Sequence, residues 1–321
     1  MAPWRCPSFA SSRWFSYAGS PRRTGTSSYR RLVPHGFELP VDLHHALRSA
    51  VPSAAVAWVE ALLGSAVVDD VALEGGASSA IHRLALEDGH DVVLRHFVLD
   101  WIHHEPWLPA NEARVLALLE KSGLQTPQLL GADPDGAVTG SPMVLMSLLP
   151  GTVVWDPENV DAWLEGLVQT VTAIHAMPVS DDLLTWQPYA PEGTPLQWSR
   201  HPHAWARALD VFEGPQPARN DTFIHRDFHP GNILWTKAQV TGVVDWVSAC
   251  VGPPEEDIAH CRINLARSHG QSVADAFLAR WLALTGRDGF NPYYDLVTAV
   301  SMASAPDAAL DDFVAAAAAI A

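Results

Sequence analysis

The sequence predicts an α+β protein built as two lobes, a small β-rich N-terminal lobe and a larger, mainly helical C-terminal lobe. Three observations carry this expectation. At 321 residues the chain exceeds what one compact core ordinarily organises. Residues 71–98 read as a strand, a glycine-rich turn and a hairpin. Beyond Gly151 the apolar residues switch to helical spacing. The expected division gives 38–149 to the N-terminal lobe and 150–321 to the C-terminal lobe.

The elements follow in order. Val71-Ala72-Leu73 leads into Glu74-Gly75-Gly76-Ala77-Ser78-Ser79. Residues 81–86 and 92–98 then flank Asp88-Gly89, a dipeptide suited to the positive φ of a tight hairpin turn. Residues 111–119 are strong helix formers and stop near Gly123. Residues 143–149 form a short apolar run between Pro142 and Pro150-Gly151, the profile of a buried strand ending in a turn. Val160, Trp163, Leu164, Leu167, Val168, Val171 and Ile174 fall at steps of three and four, an amphipathic helix with a wide apolar face. Residues 178–218 are proline-rich and are expected to be an irregular insertion over a substrate site. Short strands return at 223–224, 233–235 and 240–244, and alanine-rich helices close the chain, one ending at Gly286.

Composition narrows the partners. The formal net charge is −16. Residues 1–37 hold six arginines and no acid, so setting them aside turns the −16 of the whole into −22 for the remainder. Such a body repels nucleic acid and anionic lipid, so neither is expected as a partner. It suits either plain solubility or a cationic ligand. Residues 1–37 are expected to be a disordered basic leader; an acid-free Arg/Ser-rich stretch also has the composition of a transit peptide. No run of about 18 apolar residues is present to span a membrane. Cys6, Cys250 and Cys261 are odd in number and scattered, which points to a reducing, cytoplasmic compartment rather than a disulfide framework.

The most informative segment runs Phe223-Ile224-His225-Arg226-Asp227-Phe228-His229-Pro230-Gly231-Asn232-Ile233-Leu234-Trp235. An apolar strand enters a polar loop holding Asp227 and, five positions on, Asn232. A second apolar stretch ends at Val243-Val244-Asp245. Phosphoryl transfer leaves the protein little covalent work and needs groups that position and neutralise. One carboxylate must orient or deprotonate an acceptor hydroxyl, and hard oxygen ligands must hold Mg²⁺ against phosphates. Asp227, Asn232 and Asp245 are the residue types for those tasks. Either Asp or Asn alone reads as a turn cap, but the spacing between two strands favours the catalytic reading.

This stretch resembles the aminoglycoside phosphotransferase family, relatives of the protein kinases and of choline- and homoserine-type kinases. The run His229-Pro230-Gly231-Asn232-Ile233-Leu234 is especially similar to that family's catalytic loop, and the resemblance extends over about residues 70–285. It implies a two-lobed protein-kinase-like fold with ATP or GTP as co-substrate between the lobes and Mg²⁺ as cofactor. By the resemblance Asp227 is the catalytic base, Asn232 and Asp245 are the metal ligands, and Asp257, in Gly252-Pro253-Pro254-Glu255-Glu256-Asp257, supports the loop. His225 and His229 shape it. Gly75, Gly76 and Ser78 sit where a glycine-rich loop would cover phosphates. Arg95 occupies the strand that carries the family's phosphate-gripping cation, usually lysine. The chain's two lysines, Lys121 and Lys237, lie off that hairpin, and an arginine grips through a planar fork rather than a point charge. Glu112 is the candidate ion-pair partner of Arg95. Met146 and Leu148 fall in the segment positioned as a hinge, where backbone groups would meet the base of the nucleotide.

The expected activity is therefore transfer of a γ-phosphoryl group from ATP or GTP to a hydroxyl of a small molecule, aminoglycoside-like or another alcohol. The alternative is a kinase-like module that holds nucleotide or ligand without turnover. Only eleven residues separate Asp245 from Asp257, without Asp-Phe-Gly or Ala-Pro-Glu, so no peptide-binding activation segment fits. His103-His104-Glu105 and the Cys250, His260, Cys261 group lack zinc-site spacing, and neither a Walker A motif nor Gly-x-Ser-x-Gly is present. Glu255, Glu256, Asp307, Asp311 and Asp312 are acids that would face a cationic acceptor or simply be solvated. Acceptor, nucleotide preference and oligomeric state are left open.

Overall fold

The computed structural model describes residues 41–73, 79–191, 193 and 195–321. Two short helices, α1 (Val41–Ala46) and α2 (Ser53–Leu63), precede the first sheet. That sheet comprises β1 (Val67–Ala72), β2 (Ala80–Leu86), β3 (Asp91–His96), β4 (Leu129–Asp133) and β5 (Met143–Ser147), all antiparallel in the order β1-β2-β3-β5-β4. Asp88-Gly89 makes the β2–β3 turn, with Gly89 at φ 87°, a conformation that side chains with a Cβ rarely adopt. Helix α3 (Leu108–Leu119) connects β3 to β4.

The apolar run of β5 is explained by its two buried faces. Met143 and Leu145 join Ala55 and Val59 of α2 in one cluster, while Val144 and Met146 join Val115 and Leu116 of α3 in another. A strand covered on both sides needs no polar alternation. The strand ends at Ser147, so Leu148 and Leu149 belong to the crossing into the second lobe.

That lobe is mainly helical: α4 (Val160–His175), α5 (Pro202–Glu213), α6 (Pro254–His269), α7 (Gln271–Thr285), α8 (Tyr293–Ser301) and α9 (Ala308–Ala318). Helix α4 buries the six residues from Trp163 to Ile174 that the spacing marks, and Val160 stays exposed. The Asn159 side chain caps its start, accepting from the Ala162 amide at 3.0 Å. Gly286 closes α7 in the left-handed conformation. Small strands carry the loops: β6 (Thr152–Val153) pairs with β8 (Ile233–Thr236), which pairs with β9 (Gln239–Val243), and β7 (Thr222–Ile224) pairs with β10 (Cys250–Gly252).

The expectation of an irregular 178–218 is corrected by α5, a three-turn helix that buries Trp205 and Ala208. Its Pro202 sits in the first turn, where the missing N–H costs no helical bond. Among the described residues, no helix is long and apolar enough to cross a membrane.

Candidate active site

The segment between β7 and β8 is positioned by one buried carboxylate. Asp257, in the first turn of α6, is fully buried and accepts from the backbone N–H of His225 at 2.9 Å and of Arg226 at 2.6 Å. The His175 ring at the end of α4 donates to it from Nε2 at 2.9 Å. His225 is buried and donates from Nε2 to the Val244 carbonyl at 2.9 Å, tying this loop to the one that follows β9. These bonds hold two backbone conformations that non-glycine residues seldom adopt, φ 69° at Arg226 and φ 68° at Asp245. Each costs on the order of 1–3 kcal/mol and persists only where the surroundings dictate it. The first immediately precedes Asp227, and the second is at Asp245 itself.

Within the loop the Asn232 amide donates to the Asp227 carbonyl at 2.8 Å and to Oδ2 of its carboxylate at 3.1 Å. Asn232 immediately precedes β8, and Asp245 lies two residues past β9. The pairing of Ile233 with Val243, and the Val244 N–H donating to the Asn232 carbonyl at 3.0 Å, bring the two to the same end of that hairpin. Asn232 thus spends its amide nitrogen on Asp227 and keeps its oxygen for another partner. Burial pushes the Asp227 carboxyl up, but the rings of His229, His260 and His225 and the Asn232 amide outweigh it and hold it below the ordinary carboxylate range.

The N-terminal lobe contributes a bridging cation. Arg95 on β3 pairs across the sheet with Val144, so its side chain shares the face that packs on α3. From there Nη1 reaches Glu112 at 2.5 Å and Nη2 reaches Asp245 at 2.7 Å. Burial by itself loosens the guanidinium's hold on its proton, but Asp245 and Glu112 more than restore it. Burial pushes the Glu112 carboxyl up to about 7 against the pull of Arg95. The neighbouring Asn111 amide donates to the carbonyls of Val247 and Ala249, both at 3.0 Å, which fastens α3 to the segment after Asp245.

The structure therefore brings Asp227 and Asn232 together, and Arg95, Glu112 and Asp245 together, around the ends of β3, β7, β8 and β9. Met146 is buried in β5 and Leu148 is exposed just beyond it. Gly75, Gly76 and Ser78 lie outside the described residues. The five acids considered for a cationic acceptor are already engaged. Glu255 pairs with Arg287 at 2.6 Å and Asp307 with Arg267 at 2.8 Å. Asp312 pairs with Arg200 at 2.8 Å, while buried Asp311 accepts from Ser199, from the Arg200 amide and from the Trp205 indole. Glu256 is buried and accepts from the Thr298 hydroxyl at 3.2 Å.

Two features escape sequence reasoning. Arg226 lies 3.9 Å from the centre of the Tyr189 ring and donates to the Gln187 carbonyl at 2.7 Å, so the proline-rich segment is packed on the loop between β7 and β8. Nothing in the spacing of either residue marks that contact. His260 on α6 reaches Asp227, with Nε2 3.2 Å from Oδ1. It lies one helical turn beyond Asp257, a spacing that places both on one face of α6 and was the available signal.

A bilobed fold with a cation from the sheet, an Asp–Asn loop and a following Asp defines the kinase-like class of proteins. Residues 70–293 match the phosphotransferase enzyme family, and the chain belongs to that family. Among curated relatives, Acyl-CoA dehydrogenase family member 10 of Mus musculus is 23% identical over 237 residues, 66% of this chain and 22% of that protein. Viomycin phosphotransferase of Streptomyces vinaceus is 27% identical over 203 residues, 55% of this chain and 66% of that protein. The chain thus matches about a fifth of the first and just under two thirds of the second. Among solved structures, a thermostable mutant of an aminoglycoside phosphotransferase, in ternary complex with AMP-PNP and hygromycin B, superposes with TM-score 0.58 at 15% identity. The match covers 83% of this chain and 98% of that one, a likeness of fold.

Proposed function

We propose that the protein is a small-molecule kinase, moving the γ-phosphoryl group of ATP or GTP to a hydroxyl acceptor in the cytoplasm. The observation that carries the reading is the Arg95 bridge. One guanidinium from the sheet meets Glu112 on one side and Asp245 on the other, at the loop where Asn232 is bonded to Asp227.

In this reading Arg95 holds phosphate oxygens with its fork, and Glu112 keeps it aimed across the cleft. Asn232 through its side-chain oxygen and Asp245 through its carboxylate fit a hard divalent cation and would hold Mg²⁺, the phosphates and water completing its shell. When bound, the ion neutralises charge on the transferring phosphoryl group. Asp227 stays ionised at neutral pH and is placed to orient the acceptor hydroxyl and take its proton. Asp257 fixes the backbone that carries Asp227. Met146 and Leu148 border the proposed adenine or guanine contact, and residues 75–78 would cover the phosphates.

The pairing of Glu255, Asp307, Asp311 and Asp312 with cations of the same chain supports an acceptor that is not held by those acids, and the rings of His229 and His260 are what border Asp227. The test is Mg²⁺-dependent ADP or GDP release against aminoglycosides, macrolides, peptide antibiotics, amino alcohols and sugars. Acceptor-dependent release supports the reading, and Mg²⁺-independent release contradicts it.

A further inference from the structure

The loop and α6 meet at a stack of rings that the proposed chemistry does not use. Trp155 stacks on His229 with centroids 6.1 Å apart, and His229 stacks on His260 at 5.7 Å with the planes 13° apart. His229 accepts from the Gly231 N–H at Nδ1, 3.0 Å. A neutral ring with one accepting nitrogen carries its proton on the other, so His229 presents Nε2–H toward Asp227 Oδ1, at 3.7 Å. His260 Nε2 lies 3.2 Å from the same oxygen, close in distance but off the line of a hydrogen bond, the kind of contact that tightens when substrate binds. A β-carbon on Gly231 would come within 2.6 Å of the His229 ring and 3.1 Å of Trp155, so the loop backbone is moulded around the stack.

Charge settles which form of His260 faces the carboxylate. The groups acting on its ring are Asp227 and His229 from the loop and Asp257 and Arg267 from its own helix. Burial, opposed by Asp227, brings its pKa down to about 4, so at neutral pH the ring is uncharged. An uncharged imidazole beside an ionised carboxylate is favoured with its N–H, not its lone pair, toward the oxygen.

We propose that His260 is a positioning residue for Asp227: it donates Nε2–H to Oδ1 while the Asn232 amide holds Oδ2, and the two together fix the plane of the carboxylate that faces the acceptor hydroxyl. This rests on Asp227 acting as the base. It gives α6 two duties one turn apart, since Asp257 sets the backbone of the loop and His260 sets the side chain at its working position.

The test has one arm that needs no turnover. In long-range imidazole ¹H–¹⁵N spectra of the full chain at neutral pH, His260 is expected as the Nε2–H tautomer, with a shift toward Nδ1–H in Asp227→Ala. An Nδ1–H tautomer in the wild-type protein overturns the proposal. In the kinetic arm, His260→Ala lowers kcat about tenfold while KM for nucleotide moves less than about twofold, the mark of an interaction used at the transition state. His260→Gln, which returns an N–H donor without a titrating ring, recovers kcat to within about threefold. Wild-type kcat in His260→Ala overturns the proposal, and so does an equal loss in His260→Gln when both variants keep the wild-type melting temperature. If no acceptor is ever phosphorylated, it is the reading of Asp227 as base that fails, and the tautomer result still decides whether His260 is its partner.

Discussion

Arg95 donates from separate nitrogens to Glu112 and Asp245, a division that a planar fork makes possible and a single ammonium does not reproduce. Arg95→Lys should therefore leave one of the two carboxylates, buried Glu112 or half-buried Asp245, without its partner, at about 2–4 kcal/mol of folding stability, and raise KM for nucleotide. Chemical denaturation and steady-state kinetics check this; a variant with wild-type stability and KM would remove Arg95 from the site. Arg95 and Asp227 stand out in the sequence because each lies in a local pattern, the former on a hairpin and the latter in a loop of fixed spacing. His260 does not, because its approach to Asp227 is made by the packing of α6 and leaves no mark near the loop.

At the scale of elements, α6 governs the loop. Asp257 satisfies two backbone N–H groups and the His175 ring from a fully buried position. Asp257→Ala strands those donors, and about 2–4 kcal/mol of stability should go with it, together with most turnover, although Asp257 touches no reacting atom. Asp227→Ala should cost far less stability for a comparable loss of rate. Melting temperatures of the pair decide this, and equal destabilisation would deny the division of labour. Helix existence was readable where apolar residues recur at helical steps, as in α4. It was misread in α5, and α3 was begun late, because Pro202 and Pro109 sit in first turns. There a proline starts a helix instead of breaking it.

Across the described residues, burial takes in six of the acids, Glu112, Asp133, Glu256, Asp257, Asp295 and Asp311. Its clearest consequence is a pH dependence at Glu256, whose buried carboxyl is pushed up to about 7 by desolvation, with Arg226 pulling the other way. A folded-state pKa raised above the unfolded value means that the folded form binds the extra proton. Stability from this group is therefore complete below the unfolded value, near 4.3, and falls as pH rises toward 7. Glu256→Gln should flatten that decline and raise stability at pH 8 by up to about 3 kcal/mol, read from urea midpoints between pH 5 and 8. A variant that is less stable at pH 8 would show that the charge at Glu256 is needed. Burial of this kind is invisible in a charge count, which treats Glu256 and solvated acids alike.

If the protein is a kinase whose base is Asp227, the most direct measurement is acceptor-stimulated, Mg²⁺-dependent release of ADP or GDP by the wild-type chain beside Asp227→Asn. Stimulation by one class of hydroxyl acceptor is expected, with a fall in kcat of about 10²–10⁴ in the variant and its melting temperature retained. Equal acceptor-dependent turnover in the two proteins would contradict that role of Asp227.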